Sequence, residues 1–235
     1  TVDFWAAHAS SDEGFTPGPE IDAIRWMPVD WSQRSLTYSA EADLVEQAAV
    51  LPQTSPVILL RHTAAAKRSD FRGKDDAERP LSGKGRSQAK ALIPLLDAFG
   101  ITDIHSSNAV RCHDTVRKMA KHLGTGVQHE PTMSEEGFEE RPERAARRMR
   151  KILLDPAPLV VCSHRPVLPT LLEVAAEVLG TTEISIEDRG RDGNDRAAPW
   201  DSKLPPGGFI VLHRSFPAES APKLVAIERH IVTAD

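Results

Sequence analysis

The 235-residue sequence predicts an α/β protein, a three-layer sandwich with a largely parallel central sheet, preceded by a small α+β segment. Three observations predict it. From residue 55 onward, short apolar runs alternate with amphipathic stretches of helical period. The first of those runs is continuously apolar, as in a strand covered on both faces. A breaker-rich stretch, Leu51-Pro52-Gln53-Thr54-Ser55-Pro56, separates all of this from a tryptophan-rich opening.

In the opening segment Val2, Phe4 and Ala6 alternate with Asp3, Trp5 and Ala7 as in a strand, Glu20–Trp26 reads as another ended by Pro28, and a short helix is expected over Ala40–Val50. About fifty residues bury too little surface to fold alone, so Trp5, Trp26 and Trp31 are expected as core or interface residues. After the breaker, Val57–Leu60 reads as a buried strand. Ser82 is a natural N-cap for a helix whose apolar face is Ala89, Leu92, Ile93, Leu96 and Phe99; Pro94 should kink it or force an irregular turn, and Gly100 close it. A strand over Asp103–Ser106, a helix over Val110–Leu123 closed by Gly124 and a short strand over Val127–His129 follow. A helix over Arg141–Leu154, a strand over Leu159–Cys162, a helix over Val167–Leu179 and strands over Phe209–His213 and Leu224–Glu228 complete the chain.

Bulk properties exclude several classes. Hydrophobic content of 40% and charged content of 27% are those of an ordinary globular chain. Cys112 and Cys162 have neither disulfide-framework nor zinc-site spacing, which suits a reducing cytoplasm. No apolar run approaches the roughly 20 residues a bilayer requires, and no signal-peptide pattern opens the chain, so no membrane is expected. A formal net charge of -5 and pI near 6.0 argue against a nucleic-acid partner, while leaving room for a local basic pocket around a small anion. No internal repeat is visible. The first residue is Thr1, so the sequence is expected to be processed or part of something longer.

Open α/β sheets bind ligands at the carboxyl ends of their strands. Those ends deliver Arg61-His62-Thr63, then Ser106-Ser107 with Arg111 at the start of the next helix, then Ser163-His164-Arg165-Pro166. Two histidines and at least two arginines on one rim suit a phosphoryl group. Arg offers a planar fork of donors that keeps its charge at every accessible pH, and each charge-assisted hydrogen bond is worth roughly 1.5–3 kcal/mol. A neutral imidazole is a competent nucleophile near neutral pH. A carboxylic acid at the pocket edge is the natural proton donor for the leaving oxygen.

Arg61-His62-Thr63, Ser106-Ser107-Asn108-Ala109-Val110-Arg111-Cys112 with Thr115, and Ser163-His164-Arg165-Pro166, in that order, resemble the histidine phosphatase (phosphoglycerate mutase-like) superfamily. Leu81-Ser82-Gly83-Lys84-Gly85-Arg86 with Gln88-Ala89 looks like that family's segment between the first two motifs, and the resemblance spans residues 55–235. It implies that His62 is the nucleophile, that Arg61, Arg111 and His164 bind the phosphoryl group, and that no metal is needed. Thr63 stands where the family most often has Gly. The acid falls in Met133-Ser134-Glu135-Glu136-Gly137, with Glu135 favoured over Glu136. Thr63, Lys67, Arg68, Ser107 and Arg165 are expected to contact substrate, Lys67 and Arg68 through the second phosphate of a diphosphate.

Residues 1–50 carry a second resemblance. Phe4-Trp5-Ala6-Ala7, Glu20-Ile21-Asp22-Ala23-Ile24-Arg25-Trp26-Met27-Pro28 and Leu36-Thr37-Tyr38 look like the back half of a MutT-type Nudix domain, without the Nudix box that binds Mg²⁺. The whole is similar to actinobacterial fusions of a Nudix domain to a histidine phosphatase, which implies a nucleotide substrate such as 8-oxo-(d)GDP taken to the monophosphate. It also implies a missing Nudix half, present elsewhere as a separate chain or removed, with Mg²⁺ needed only there. Rival expectations are a SixA-like phosphohistidine protein phosphatase and a non-catalytic nucleotide-binding domain that regulates a Nudix partner. His105 and His113 are expected to be bystanders. The basic run Arg144, Arg147, Arg148, Arg150 and Lys151 is expected to be a solvated face balanced by Glu139, Glu140 and Glu143, or else a landing surface for polyphosphate. The loop Arg189–Pro206 is expected to be a lid or a flexible connection.

Overall fold

The structure is a computed structural model that describes residues 4–7, 9, 15–181 and 200–232. The chain divides into two compact units, Thr1–Pro52 and Gln53–Asp235. The expected loop 189–206 lies outside the described residues up to position 199.

The first unit holds two helices, α1 (Val29–Ser35) and α2 (Ser39–Ala49), and neither buries a residue. The helix expected over 40–50 is α2, shifted by one residue. The two strands expected ahead of it are not found: residues 4–7 and 20–28 belong to no strand. Alternation of apolar and polar residues becomes a strand only where a neighbour supplies ladder hydrogen bonds, and no described residue of this unit does so. The tryptophans are not core residues of this chain, since Trp5, Trp26 and Trp31 are each about two-thirds exposed. A unit this short has no interior in which to place them.

The second unit is built on one six-stranded sheet in the order β3-β2-β4-β1-β5-β6. In chain order its elements are β1 (Ser55–Arg61), α3 (Gly83–Ala98), β2 (Asp103–Ser106), α4 (Val110–Leu123), β3 (Val127–His129), α5 (Glu135–Glu140), α6 (Pro142–Leu154), β4 (Leu159–Ser163), α7 (Leu168–Val178), β5 (Phe209–Ser215) and β6 (Lys223–His230). Successive β1 residues point to opposite faces. Val57 and Leu59 join the core cluster that holds Met149 and Ile152 of α6 and Leu168 and Leu171 of α7. Ile58 and Leu60 join Leu92 and Leu96 of α3 and Cys112 and Val116 of α4. Both faces of the strand are therefore covered, which is why its sequence is apolar without alternation.

The sheet corrects the expectation of a largely parallel one: it is mixed. β3, β2, β4 and β1 are parallel, but β5 runs antiparallel to β1, with Leu60 opposite Phe209, and β6 antiparallel to β5. For β6 the reason lies in its connection to β5. Only residues 216–222 separate β5 from β6, too few for the dozen or so that a parallel crossover needs.

Local signals fix the helix ends. Ser82 Oγ accepts from Gly85 N as the N-cap of α3, and Gly124 takes the left-handed conformation (φ 68°) that ends α4. Helix α3 continues through Pro94 as one element. At the lower end of the sheet Arg214 of β5 is fully buried and closes α6. Its Nη1 donates to the carbonyls of Ile152, Leu153 and Asp155, and its Nη2 to that of Ala157. Burial lowers its pKa to about 10, still charged at neutral pH. A cation at a helix carboxyl end complements the unpaired carbonyls and the helix dipole. Replacing it, as in Arg214→Met, leaves those acceptors unpaired and should cost at least about 3 kcal/mol in urea unfolding; a loss below about 1 kcal/mol would mean that water reaches them.

Candidate active site

The crevice that positions the site lies between β1 and β4. The chain leaves β1 through α3 toward β2 on one side, and leaves β4 through α7 toward β5 on the other, so the connections diverge at this point. Such a divergence opens a cleft at the strand carboxyl ends. Hydrogen bonds seal the three motifs together there: His62 N donates to Ser163 O (3.0 Å), and Ser107 N to Cys162 O (2.9 Å).

The His62 ring is buried, and its Nδ1 lies 2.7 Å from the Thr63 carbonyl. A carbonyl only accepts, so Nδ1 carries the proton and Nε2 keeps its lone pair. The His164 ring stands edge-on to it, centroids 5.4 Å apart. Arg111 Nη2 donates to His164 Nδ1 (3.3 Å), which leaves the His164 Nε2 proton for Ser107 Oγ (2.9 Å); Cys112 Sγ lies 3.3 Å from the same nitrogen. Burial pushes the pKa of His62 down to about 4, helped by the charges of Arg111, Arg61 and Arg79 and opposed by the Thr63 carbonyl. Burial and the Arg111 charge push His164 further, to about 2. Both rings are neutral at pH 7.

Arg111 is the hub. Its Nη1 donates to the Asp76 carbonyl (2.7 Å) and lies 3.3 Å from the Asp76 carboxylate, and its Nη2 lies 3.1 Å from Glu135 Oε2. Glu135 Oε1 is 3.5 Å from His164 Nδ1. Arg61 donates through Nη1 to the Leu204 carbonyl (2.6 Å). Burial lowers its pKa, with Arg165 acting in the same direction and Glu135 against it. The Nε–H groups of Arg61 and Arg111 are buried with no hydrogen-bond partner. Unpaired buried donors cost about 1–3 kcal/mol each.

The structure thus brings Arg61, His62, Arg111, Glu135 and His164 into one cluster. Thr63 and Ser107 are fully buried behind it, their hydroxyls engaged with Thr115 and His164. Lys67, Arg68 and Arg165 are exposed, and Arg68 reaches the Asp76 carboxylate at 3.3 Å. Two members of the cluster were missed in the sequence, Asp76 and Arg79. Arg79 binds Asp76 through Nε (2.8 Å) and Nη2 (3.2 Å), and these bonds, with the charges of Arg111, Arg79 and Arg68, hold the Asp76 carboxyl below its usual range. The signal was the i, i+3 acid–base pair Asp76/Arg79 directly before Pro80.

The remaining expectations fall elsewhere. His105 Nδ1 meets Glu130 (2.7 Å), which also accepts from Arg148, and the His113 ring stacks on His129. The partners of the basic run are Glu130 for Arg148 and Glu177 for Arg150, rather than Glu139, Glu140 and Glu143. Arg148 and Lys151 line a cleft of about 140 Å³ with Asp103 and Leu159, the first residues of β2 and β4, at the opposite strand ends from His62.

Two neutral buried imidazoles have a consequence for stability. Unfolded histidine titrates near pH 6.5. Between there and about 4 the unfolded chain binds protons at His62 that the folded chain refuses, so stability falls as pH drops through this window. His164 adds to the loss and extends it toward pH 2. From pH 7 to 5, His62 alone should cost about 2 kcal/mol, and a His62→Asn, His164→Asn double variant should show a flatter dependence in urea titrations. An equal slope in the two proteins would show that the imidazoles are hydrated.

A free Nε2 on a buried imidazole, ringed by guanidiniums at the diverging point of an α/β sheet, defines a protein built to handle phosphoryl groups. Comparison with known proteins gives a family resemblance: residues 57–153 match the model of the Histidine phosphatase superfamily (branch 1). It is 33% identical over 213 residues to the 8-oxo-(d)GTP phosphatase of Mycolicibacterium smegmatis (strain ATCC 700084 / mc(2)155), a match covering 85% of this chain and 66% of that protein. The chain thus spans just under two thirds of that relative's length. Among solved structures, one named mycobacterial hydrolase 1 shares the fold with a TM-score of 0.50 at 15% identity, over 74% of this chain and 98% of that one. A SixA-type protein from Agrobacterium tumefaciens aligns with a TM-score of 0.49 at 20% identity, over 76% of this chain and 98% of that one. Among the described residues no helix is long and apolar enough to cross a membrane.

Proposed function

We propose that this chain is a metal-independent phosphatase that works through a phosphohistidine at His62, on a small phosphorylated substrate of the nucleoside diphosphate class such as 8-oxo-(d)GDP. The observation that carries the reading is the unprotonated Nε2 of His62 beside two guanidiniums, each with a buried Nε–H that lacks an acceptor. Nε2 attacks phosphorus as the bond to the leaving oxygen breaks. Arg61 and Arg111, through donors and charge, stabilise the equatorial oxygens, and neutral His164 joins them when its Nε2 proton turns from Ser107 Oγ to the phosphoryl group. Glu135, paired with Arg111 as a carboxylate in the resting protein, first takes up a proton as substrate replaces it on Arg111. It gives that proton to the leaving oxygen, and then takes one from the water that displaces the phosphoryl group from His62. Arginine charge takes the place of a divalent cation in this scheme.

The substrate class rests on the name of the Mycolicibacterium smegmatis relative and on the exposed cations Lys67, Arg68 and Arg165 around the site, which suit a second phosphate. In a longer protein of this kind, a Nudix segment with its own Mg²⁺ would act on the triphosphate; these residues contain no Nudix box.

His62→Ala should lower phosphate release by several orders of magnitude while leaving the urea midpoint near neutral pH close to wild type, and EDTA should leave the wild-type rate unchanged. Phosphate release from 8-oxo-GDP, GDP, ADP and an aryl phosphate, measured side by side, tests the substrate. Selective release from guanosine diphosphates supports the nucleotide reading; release from the aryl phosphate alone, or from a phosphohistidine peptide in preference to all of them, removes it and keeps the chemistry. Glu135→Gln should slow nucleotide turnover about 10²–10³-fold, and far less for an aryl phosphate with an acidic leaving group. Equal losses on both substrates would remove Glu135 as the acid.

A further inference from the structure

Residue 63 lies between two pinned peptide planes. On its carboxyl side, Gln88 Oε1 accepts from Ala64 N at 3.0 Å. The Ala64 N–H and the Thr63 carbonyl belong to the same planar trans peptide, so holding one aims the other in the opposite direction. That carbonyl is the group that meets His62 Nδ1 at 2.7 Å. On the amino side, Thr115 Oγ1 accepts from Thr63 N at 3.0 Å. The Thr115 hydroxyl proton goes to the Arg111 carbonyl at 2.7 Å, so in the 3.1 Å contact between the two threonine hydroxyls Thr63 is the donor. Both turnable bonds at Thr63 are thereby fixed from outside the loop.

The clamps are anchored in turn. Gln88 is buried on α3, and its Nε2 donates to the Pro206 carbonyl (3.0 Å), beside the Gly207 N–H that reaches the Arg61 and His62 carbonyls (both 3.2 Å). Helix α3 presses against the nucleophile loop so closely that a Cβ on Gly85 would lie 1.9 Å from the Ala64 carbonyl oxygen. That carbonyl accepts from both the backbone and the hydroxyl of Ser82 (2.9 and 3.0 Å). Which imidazole nitrogen is protonated is decided by the hydrogen bond offered to the other.

We infer that Gln88 and Thr115 are positioning residues that aim the Thr63 carbonyl at His62 Nδ1 and so hold the ring in the tautomer whose Nε2 is free to attack. Neither touches the imidazole of His62; each acts through the peptide next to Thr63. The inference rests on His62 being the nucleophile, and it explains why Thr63 is accommodated here: its hydroxyl adds a second tie to Thr115.

Nitrogen-15 NMR of the His62 ring reads the tautomer directly, without turnover. The wild-type protein is expected to show one form, protonated at Nδ1. Gln88→Met and Thr115→Val, each close in volume but lacking the acceptor, should show a mixture of both tautomers. Their kcat should fall on the order of tenfold to a hundredfold with KM nearly unchanged, and Thr115→Ser should restore both the single tautomer and kcat. A merely structural role would lower the urea midpoint and leave the tautomer single; that outcome in whichever of the two variants folds overturns the inference. Phosphate trapping separates it from the broader reading: a wild-type ring in the expected form that never becomes phosphorylated removes His62 as nucleophile and leaves the clamp intact.

Discussion

The parallel pairing of β1 with β4 is the constraint on which the site depends. Arg61 stands opposite Ser163 in that register, and the next residue on each strand is a site histidine, His62 and His164. A slip of one residue would turn every side chain of β1 to the other face, exchanging Val57 and Leu59 with Ile58 and Leu60 between two packed cores. The register is therefore fixed by apolar packing along the strand, while its effect is felt at the strand end. Hydrophobic burial sets where the chemistry takes place.

Charge then has to be made tolerable in that place. Three guanidiniums, Arg61, Arg79 and Arg111, sit within the range in which their charges lower the proton affinity of His62. Asp76 and Glu135 offset them, and backbone carbonyls of Leu204, Asp76 and Ala66 take donors that the carboxylates do not. Each such bond offsets desolvation, but two Nε–H groups are left over. The protein bears that cost in its resting form.

Much of this was legible in the sequence, for identifiable reasons. The three motifs lie immediately after apolar runs whose length and composition mark strand ends, so local pattern sufficed to bring His62, Arg111 and His164 together. Cap residues carry similar local information, and Ser82 and Gly124 act as expected. What was not legible depends on distant partners. Asp76 sits in a loop whose role is set by Arg111, 35 residues away, and Gln88 acts across the chain on Ala64 and Pro206. The direction of β6 against β5 follows from the length of the connection between them, a signal present in the sequence but outweighed by the strand–helix rhythm before it. The alternating residues at the start of the chain failed for the opposite reason: the local pattern was there, and no strand lies beside them among the described residues.

Arg111 also acts as a threshold on what may enter. In the resting protein it already holds two tethered carboxylates, those of Asp76 and Glu135. A freely diffusing monoanion, whether chloride or a carboxylic metabolite, would exchange one single negative charge for another and lose its own freedom of movement in doing so. A dianion such as a phosphoryl group would bring an additional charge and additional acceptor oxygens. The carboxylates around the arginine thus set a condition on charge that a singly charged solute does not meet.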